Sequence, residues 1–126
     1  MRYIIYGAGG IGGAIGGRLF HQGHEVVLIC RGEHLTTIQR QGLTLKTPTE
    51  TLQLPIRAVA HPLELSFSNE DVVILTMKSQ DTEMALQDLE RASGSDVPVV
   101  CCQNGVDNER MAARRFARVY GMVVWL

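Results

Sequence analysis

The sequence predicts an α/β domain with a mainly parallel sheet, and two observations support this class. Short, continuously apolar segments alternate with segments of helical composition along the chain, an order that is typical of α/β proteins. The apolar segments contain few polar residues, which favours parallel strands that are buried on both faces. The chain has 126 residues, 45% of them hydrophobic, and this length fits one domain with its own core.

The apolar runs and the helical periodicity give the expected elements in order. Strands of the parallel sheet are predicted over residues 2–6, 26–30, 71–77, 97–102 and 119–126. Helices are predicted from the glycine-rich stretch to Phe20, and then over residues 33–41, 80–91 and 107–116. Met84, Leu86 and Leu89 are available to face the sheet from the third helix.

A change of periodicity after the second helix predicts a small antiparallel insertion near residues 43–60. Gly42 occupies the position where a helix commonly ends in a left-handed residue. Residues 43–47 and 51–54 then alternate apolar and polar side chains around Pro48, the pattern of a hairpin with one wet face.

The net charge and the spacing of the cysteines and histidines limit which partners and which metal sites we expect. The formal net charge is −1 without a long run of either sign, so we expect no nucleic-acid or membrane partner. No apolar run approaches the length of a membrane span, and a signal peptide is not expected. Neither the cysteines nor the histidines have metal-ligand spacing, and we interpret the cysteines as reduced core thiols of a cytoplasmic protein. These residues are Cys30, Cys101, Cys102, His21, His24, His34 and His61.

A glycine-rich loop follows the first predicted strand and opens the first predicted helix. Its six residues match the pattern G-x-G-x-x-G: Gly7, Ala8, Gly9, Gly10, Ile11 and Gly12. Within a strand–helix–strand unit this pattern predicts a Rossmann-type, doubly wound domain that binds a dinucleotide, with the pyrophosphate at the helix N-terminus. The alternative is that the glycines, with Gly13, Gly16 and Gly17, only allow close packing.

The residue after the second strand indicates which dinucleotide is bound. Enzymes that use NAD carry an Asp or Glu there, which binds the ribose 2′-hydroxyl, whereas this chain has Cys30 followed by Arg31. A guanidinium can bind a 2′-phosphate through two charge-assisted hydrogen bonds, which favours NADP(H). Arg31 could instead be a solvated cation that pairs with Glu33.

Two polar residues follow the third and fourth predicted strands. Lys78 and Asn104 should both lie beyond the carboxyl ends of their strands, where open α/β sheets bind ligands. We interpret them as contacts for the cofactor and for a carbonyl substrate. The alternatives are an ordinary lysine at a helix start and a turn residue before Gly105.

These motifs together resemble the ketopantoate reductases, also called 2-dehydropantoate 2-reductases, over essentially the whole chain. The resemblance rests on residues 7–12, Arg31, residues 42–59, residues 76–79 with Lys78, and residues 103–105 with Asn104. It implies that the glycine loop binds the NADP pyrophosphate, that Arg31 binds the 2′-phosphate, and that Lys78 and Asn104 lie at the cofactor and substrate site. Members of the family reduce 2-dehydropantoate with NADPH to pantoate, a step toward coenzyme A.

The resemblance also implies that part of the enzyme lies outside this chain. Family members continue into a helical C-terminal domain that carries the general acid, so residues 1–126 are expected to form the dinucleotide-binding domain, and no catalytic acid is assigned here. We therefore expect a catalytically incomplete piece of a reductase for a 2-oxo acid whose identity stays open. The alternatives are a stand-alone NADP(H)-sensing module and a related dehydrogenase with another substrate. An uncovered apolar strand over residues 119–126 is expected to promote self-association.

Overall fold

The computed structural model describes residues 1–103 and 107–122 of the chain. The strands are β1 Arg2–Tyr6, β2 Glu25–Ile29, β3 Leu43–Lys46, β4 Thr51–Leu54, β5 Arg57–Val59, β6 Asp71–Leu75, β7 Val99–Cys101 and β8 Val119–Gly121. The α-helices are α1 Gly10–His21, α2 Gly32–Gln41, α3 Thr82–Ser93 and α4 Asp107–Ala113, and short 3-10 helices cover Pro62–Glu64 and Ser79–Asp81.

The described part of the chain forms one parallel sheet of six strands in the order β5-β2-β1-β6-β7-β8. The chain starts at the centre with β1, moves outward to β5, and then crosses back to β6 on the other side of β1. Ile4 and Ile5 of β1 and residues 26–29 of β2 are buried, as the continuous apolar runs predict for strands that are covered on both faces. The predicted doubly wound, Rossmann-type α/β fold is confirmed.

The sheet separates two hydrophobic clusters. The first contains Ile4, Leu75 and Phe116 with the buried side of α3, and the second contains Ile5, Leu28 and the apolar side of the β3–β4 hairpin. Because successive side chains of a strand point to opposite faces, adjacent residues such as Ile4 and Ile5 belong to different clusters.

The antiparallel insertion is confirmed for β3 and β4, which pair in antiparallel register. The hairpin packs on α1, where a Cβ on Gly17 would lie 3.2 Å from Leu43 and from Leu45. Gly42 has a φ of +83°, as expected for a glycine at a helix end. The end of the predicted insertion differs, because Arg57–Val59 is a strand of the parallel sheet that pairs with β2. Three residues that begin with an exposed arginine are too short to give a buried-strand signal.

Three helix expectations need correction. Met84 does not face the sheet, since it is 70% exposed. The buried side of α3 is the stripe of Thr82, Ala85, Leu86 and Leu89, and Met84 lies on the opposite side of the helix. The third helix also begins as the 3-10 turn Ser79–Asp81 before α3, and α4 ends at Ala113, short of Phe116.

The strand ends also differ slightly from the expected bounds. β6 ends at Leu75 instead of residue 77, and β7 is shorter at both ends than residues 97–102. β8 begins at Val119 as predicted, and residues 123–126 lie outside the described residues. Among the described residues, no helix has the length and apolarity that crossing a bilayer would require.

Candidate functional site at the carboxyl edge of the sheet

The parallel arrangement brings the segments that follow the central strands to one edge. Tyr6, Ile29 and Leu75 stand side by side as the last residues of β1, β2 and β6. The glycine loop, Arg31 and Lys78 follow directly, and Gln103 follows β7 at the same edge. This carboxyl edge is where open α/β sheets bind their ligands.

Two glycines of the loop are fixed by close contacts with the segment after β6. Gly7 has a φ of +96°, and a Cβ on it would lie 2.7 Å from the backbone nitrogen of Met77. A Cβ on Gly12 would lie 2.5 Å from Thr76 Oγ1 and 2.7 Å from the carbonyl oxygen of Gly7. Both positions therefore exclude a side chain through packing within the protein.

Gly9 and Gly10 differ from these two glycines because their surroundings are open. A Cβ on either would meet no atom of residues 1–103 or 107–122 within 4 Å. α1 begins at Gly10; its N-cap residue, Gly9, makes no side-chain capping hydrogen bond, and its first turn contains no acidic residue. The positive end of the helix is thus accessible to an anion and has no carboxylate of its own beside it.

Thr76 and His34 hold the loop in place. The Thr76 hydroxyl donates to the carbonyl oxygens of Tyr6 at 3.1 Å and Gly7 at 2.5 Å. His34 Nε2 donates to the carbonyl oxygen of Ala8 and so holds the first turn of α2 against the loop. His34 has no metal-ligand spacing in the sequence, and nothing there indicates a contact between residues 26 positions apart.

Arg31 immediately precedes α2 and points into solvent. Its side chain is 84% exposed, and its Nη2 lies 3.9 Å from Oδ2 of Asp81, which is 45% exposed. The ion pair that the structure gives Arg31 is therefore with Asp81, whereas Glu33 was the partner considered from the sequence. Burial raises the pKa of Tyr6 to about 12; the Asp88 carboxylate adds to the rise and Arg31 opposes it.

Lys78 lies at the same edge, and a partly buried polar network supports its loop. Gln103 Nε2 donates to the carbonyl oxygen of Met77 at 2.8 Å and to Thr82 Oγ1 at 2.6 Å. The Thr82 hydroxyl donates to Asn108 Oδ1 at 2.9 Å, and Asn108 Nδ2 donates to Ser79 Oγ at 3.0 Å. These bonds join the segments on both sides of Lys78 to α3, α4 and the end of β7.

No pattern in the sequence indicates this network, because its hydrogen bonds join residues 21 to 29 positions apart. Asn104, the other predicted contact, lies outside the described residues, so its role stays a prediction.

We also searched residues 1–103 and 107–122 for metal-ligating groups and for thiols. They contain no group of three or more metal-ligating side chains. Cys30, Cys101 and Cys102 are free and buried, as expected for core thiols. Burial raises the pKa of Cys101 to about 11, and the Glu109 carboxylate adds to this rise.

Comparison with known proteins is consistent with this geometry. Residues 3–126 match the family model described as ketopantoate reductase PanE/ApbA. A 2-dehydropantoate 2-reductase of Mesorhizobium japonicum is 36% identical over 107 residues, which are 84% of this chain and 32% of that protein. The chain thus spans about a third of the length of this curated relative.

Two solved structures have the same fold. The PanE/ApbA family ketopantoate reductase from Ralstonia eutropha JMP134 has a TM-score of 0.91 and 32% identity, over 100% of this chain and 42% of that one. D-mandelate dehydrogenase with NADH and anilino(oxo)acetate has a TM-score of 0.87 and 28% identity, over 100% of this chain and 41% of that one. With the family model matched over nearly every residue, the chain belongs to the PanE/ApbA ketopantoate reductase family.

Proposed function

We propose that the chain is the NADP(H)-binding domain of a 2-dehydropantoate 2-reductase-like oxidoreductase. The relatives with this name and the NADH-containing dehydrogenase neighbour support a nicotinamide cofactor. The observation that carries the proposal is the open N-terminus of α1 at Gly9 and Gly10, beside an exposed arginine at the end of β2.

The glycine loop fits a dinucleotide pyrophosphate. The open space over Gly9 and Gly10 lets a ligand approach the backbone, and the helix end supplies N–H groups and partial positive charge. The residues that would hold the pyrophosphate are Gly7, Ala8, Gly9, Gly10, Ile11 and Gly12. Gly7 and Gly12 would act by shaping the loop, because each is already in close contact with other parts of the protein.

Arg31 supports NADP(H) over NAD(H). Its guanidinium is exposed, and its ion pair with Asp81 is long, so it remains able to bind a phosphate. The His34 bond to Ala8 holds the start of α2, and with it Arg31, next to the glycine loop. A 2′-phosphate bound by Arg31 would thus belong to the same ligand as the pyrophosphate.

Lys78 and Asn104 would contact the nicotinamide side of the cofactor and the 2-oxo acid. The Lys78 ammonium can donate hydrogen bonds to a ketone oxygen or a carboxylate and neutralise charge there. When bound, NADPH supplies the hydride that reduces the ketone. We place the general acid and most substrate contacts outside these residues, in accordance with the greater length of the relatives, and expect the chain alone to be inactive.

The test is a pair of calorimetric titrations of the chain with NADPH and NADH at one salt concentration. Tighter binding of NADPH, without oxidation of NADPH when 2-dehydropantoate is added, is the expected result. Equal binding of the two nucleotides would overturn the assignment of Arg31, and absence of binding would overturn the proposal as a whole. Turnover with 2-dehydropantoate would show that the chain carries its own acid.

A charge reversal tests the role of Arg31 directly. Arg31→Asp should reverse the preference toward NADH, because the carboxylate repels a 2′-phosphate and can accept a hydrogen bond from the 2′-hydroxyl. Arg40→Asp, at the other end of α2, makes the same charge change and should leave the preference intact. An unchanged preference in Arg31→Asp would mean that the 2′-phosphate is bound elsewhere.

We also propose self-association through the outer strand β8. Among the described residues this strand pairs with β7 alone, and Tyr120 within it and Met122 just after it are exposed. Light scattering over a range of concentrations should show mass increasing above that of the monomer; a monomer at high concentration would contradict this.

The free, buried thiols support a cytoplasmic location.

A further inference from the structure

We infer that Asp81 is a specificity-determining residue, which weakens the binding of a 2′-phosphorylated nucleotide relative to its 2′-hydroxyl counterpart. The inference rests on the proposed function. Its basis is the ion pair between Asp81 and Arg31, in which the carboxylate lies 3.9 Å from the guanidinium that would bind the 2′-phosphate.

The position of Asp81 is set by the fold. It ends the 3-10 turn after Lys78 and immediately precedes α3, and its backbone N–H donates to the carbonyl oxygen of Lys78 at 2.9 Å. The turn follows β6, and Arg31 follows β2, on the opposite side of β1. The carboxylate therefore approaches the guanidinium from across the end of β1.

Two effects of Asp81 act against a 2′-phosphate. The Asp81 carboxylate already neutralises part of the charge of Arg31, so a phosphate must compete with it for the guanidinium. A phosphate monoester bound at the guanidinium also brings up to two negative charges close to a carboxylate of the same sign. A ribose 2′-hydroxyl suffers neither effect, because it is neutral and can donate a hydrogen bond to a carboxylate.

Exposure limits the size of the effect. Both side chains are substantially solvated, and exposed ion pairs are worth little in water. We therefore expect removal of the Asp81 charge to tighten NADPH binding by about fivefold, with NADH binding unchanged or slightly weakened. The gain should shrink as salt is added, since the charges are screened.

The experiment compares the dissociation constants of NADPH and NADH in the unaltered chain, Asp81→Asn and Asp96→Asn. Asp96 is an exposed aspartate that precedes β7, at the opposite edge of the sheet, so its variant makes the same charge change away from the site. A selective gain for NADPH in Asp81→Asn alone supports the inference. Equal behaviour of the two variants, or a parallel change for both nucleotides, overturns it.

The two proposals fail in different ways. If the unaltered chain binds neither nucleotide, the proposed function is wrong. If the unaltered chain prefers NADPH and Asp81→Asn has the same preference, only the role of Asp81 is wrong. Thermal denaturation of both variants checks that each is folded, and an exposed pair is expected to shift the midpoint little.

Discussion

The two edges of the parallel sheet use charge in opposite ways. At the amino edge, Arg2 Nε lies 2.9 Å from Asp71 Oδ1, and Arg2 Nη2 contacts both Asp71 Oδ2 and the carbonyl oxygen of Ser66. At the carboxyl edge, Arg31 has one long ion pair within the described part of the chain and is mostly in solvent. Arg2 begins β1 at the amino edge, and Arg31 follows β2 at the carboxyl edge. Of these two arginines, Arg31 is the one that remains able to bind a ligand.

Burial explains the difference. Asp71 is 2% exposed, and its carboxylate also accepts the backbone N–H of Ser68 at 2.8 Å. A buried carboxylate is costly unless all of its hydrogen-bond partners are present. The hydrogen bonds that join Arg2, Ser66, Ser68 and Asp71 therefore depend on one another, and we call them the closed set of bonds at the amino edge. The carboxyl edge has exposed cations and an open helix end, which is the arrangement of a ligand site.

The largest effect is expected when the closed set of bonds at the amino edge is broken. Asp71→Ala should lower the free energy of unfolding by about 3–5 kcal/mol, because it leaves the mostly shielded Arg2 guanidinium and the Ser68 N–H without their acceptor. Denaturant unfolding of the variant and of the unaltered chain measures this loss of free energy. Arg31→Ala removes one charge of the exposed ion pair at the other edge and should alter stability by less than about 1 kcal/mol. Similar losses in the two variants would contradict the comparison.

The next effect is expected within the glycine loop, at the position in closest contact with its neighbours. Gly12→Ala should lower the free energy of unfolding by about 1–3 kcal/mol, because its Cβ would press on Thr76 Oγ1 and the Gly7 carbonyl oxygen. Gly10→Ala, in open space on the same helix, should be neutral or slightly stabilising. Thermal unfolding of both variants is the measurement. Equal midpoints would show that the loop rearranges to accept the methyl group without loss of stability.

A smaller and separate effect is expected at Gly9, whose surroundings are open. Gly9→Ala should leave unfolding unchanged while weakening NADPH binding by about tenfold, since the new methyl group would occupy the space that a pyrophosphate needs. Calorimetry and denaturation on the same variant separate the two properties. Binding as tight as in the unaltered chain would mean that the ligand does not approach this glycine.

The fold could be predicted largely from local patterns, and the exceptions have local causes. Continuous apolar runs identify β1, β2 and β6, because burial on both faces leaves a signal in every residue. β5 has only three residues and begins with an exposed arginine, so it gives no such signal. Met84 is apolar and exposed, and only the stripe of buried neighbours on α3 shows which side of the helix faces the sheet.

The site could be predicted as a set of positions but not as a set of contacts. The order of strands and loops predicts that the glycine loop, Arg31 and Lys78 share one edge. Which groups then touch depends on side chains far apart in sequence, such as the bond between His34 and Ala8 and the pair of Arg31 with Asp81. The periodicity of a single sequence contains no information on those pairs.

The smallest effect on stability at neutral pH is expected at Cys101, which shows where the open surface of the carboxyl edge ends. This thiol is the last residue of β7 and is fully buried, although Gln103 two residues later belongs to the edge. Burial raises its pKa from 9.0 to about 11, so the folded protein favours the neutral thiol. The stability that comes from this preference is fully present below pH 9 and is lost as the pH rises toward 11.

Thiol reactivity measures this directly. At neutral pH the folded chain should react slowly with a thiol reagent at Cys101, and the unfolded chain should react rapidly, because only an accessible thiolate is nucleophilic. Mass mapping of the labelled cysteines identifies the site, and Cys101→Ser should remove the corresponding label. Fast labelling of Cys101 in the folded chain at neutral pH would mean that solvent penetrates below the strand ends, and that the carboxyl edge is open to a greater depth than the glycine loop and Arg31.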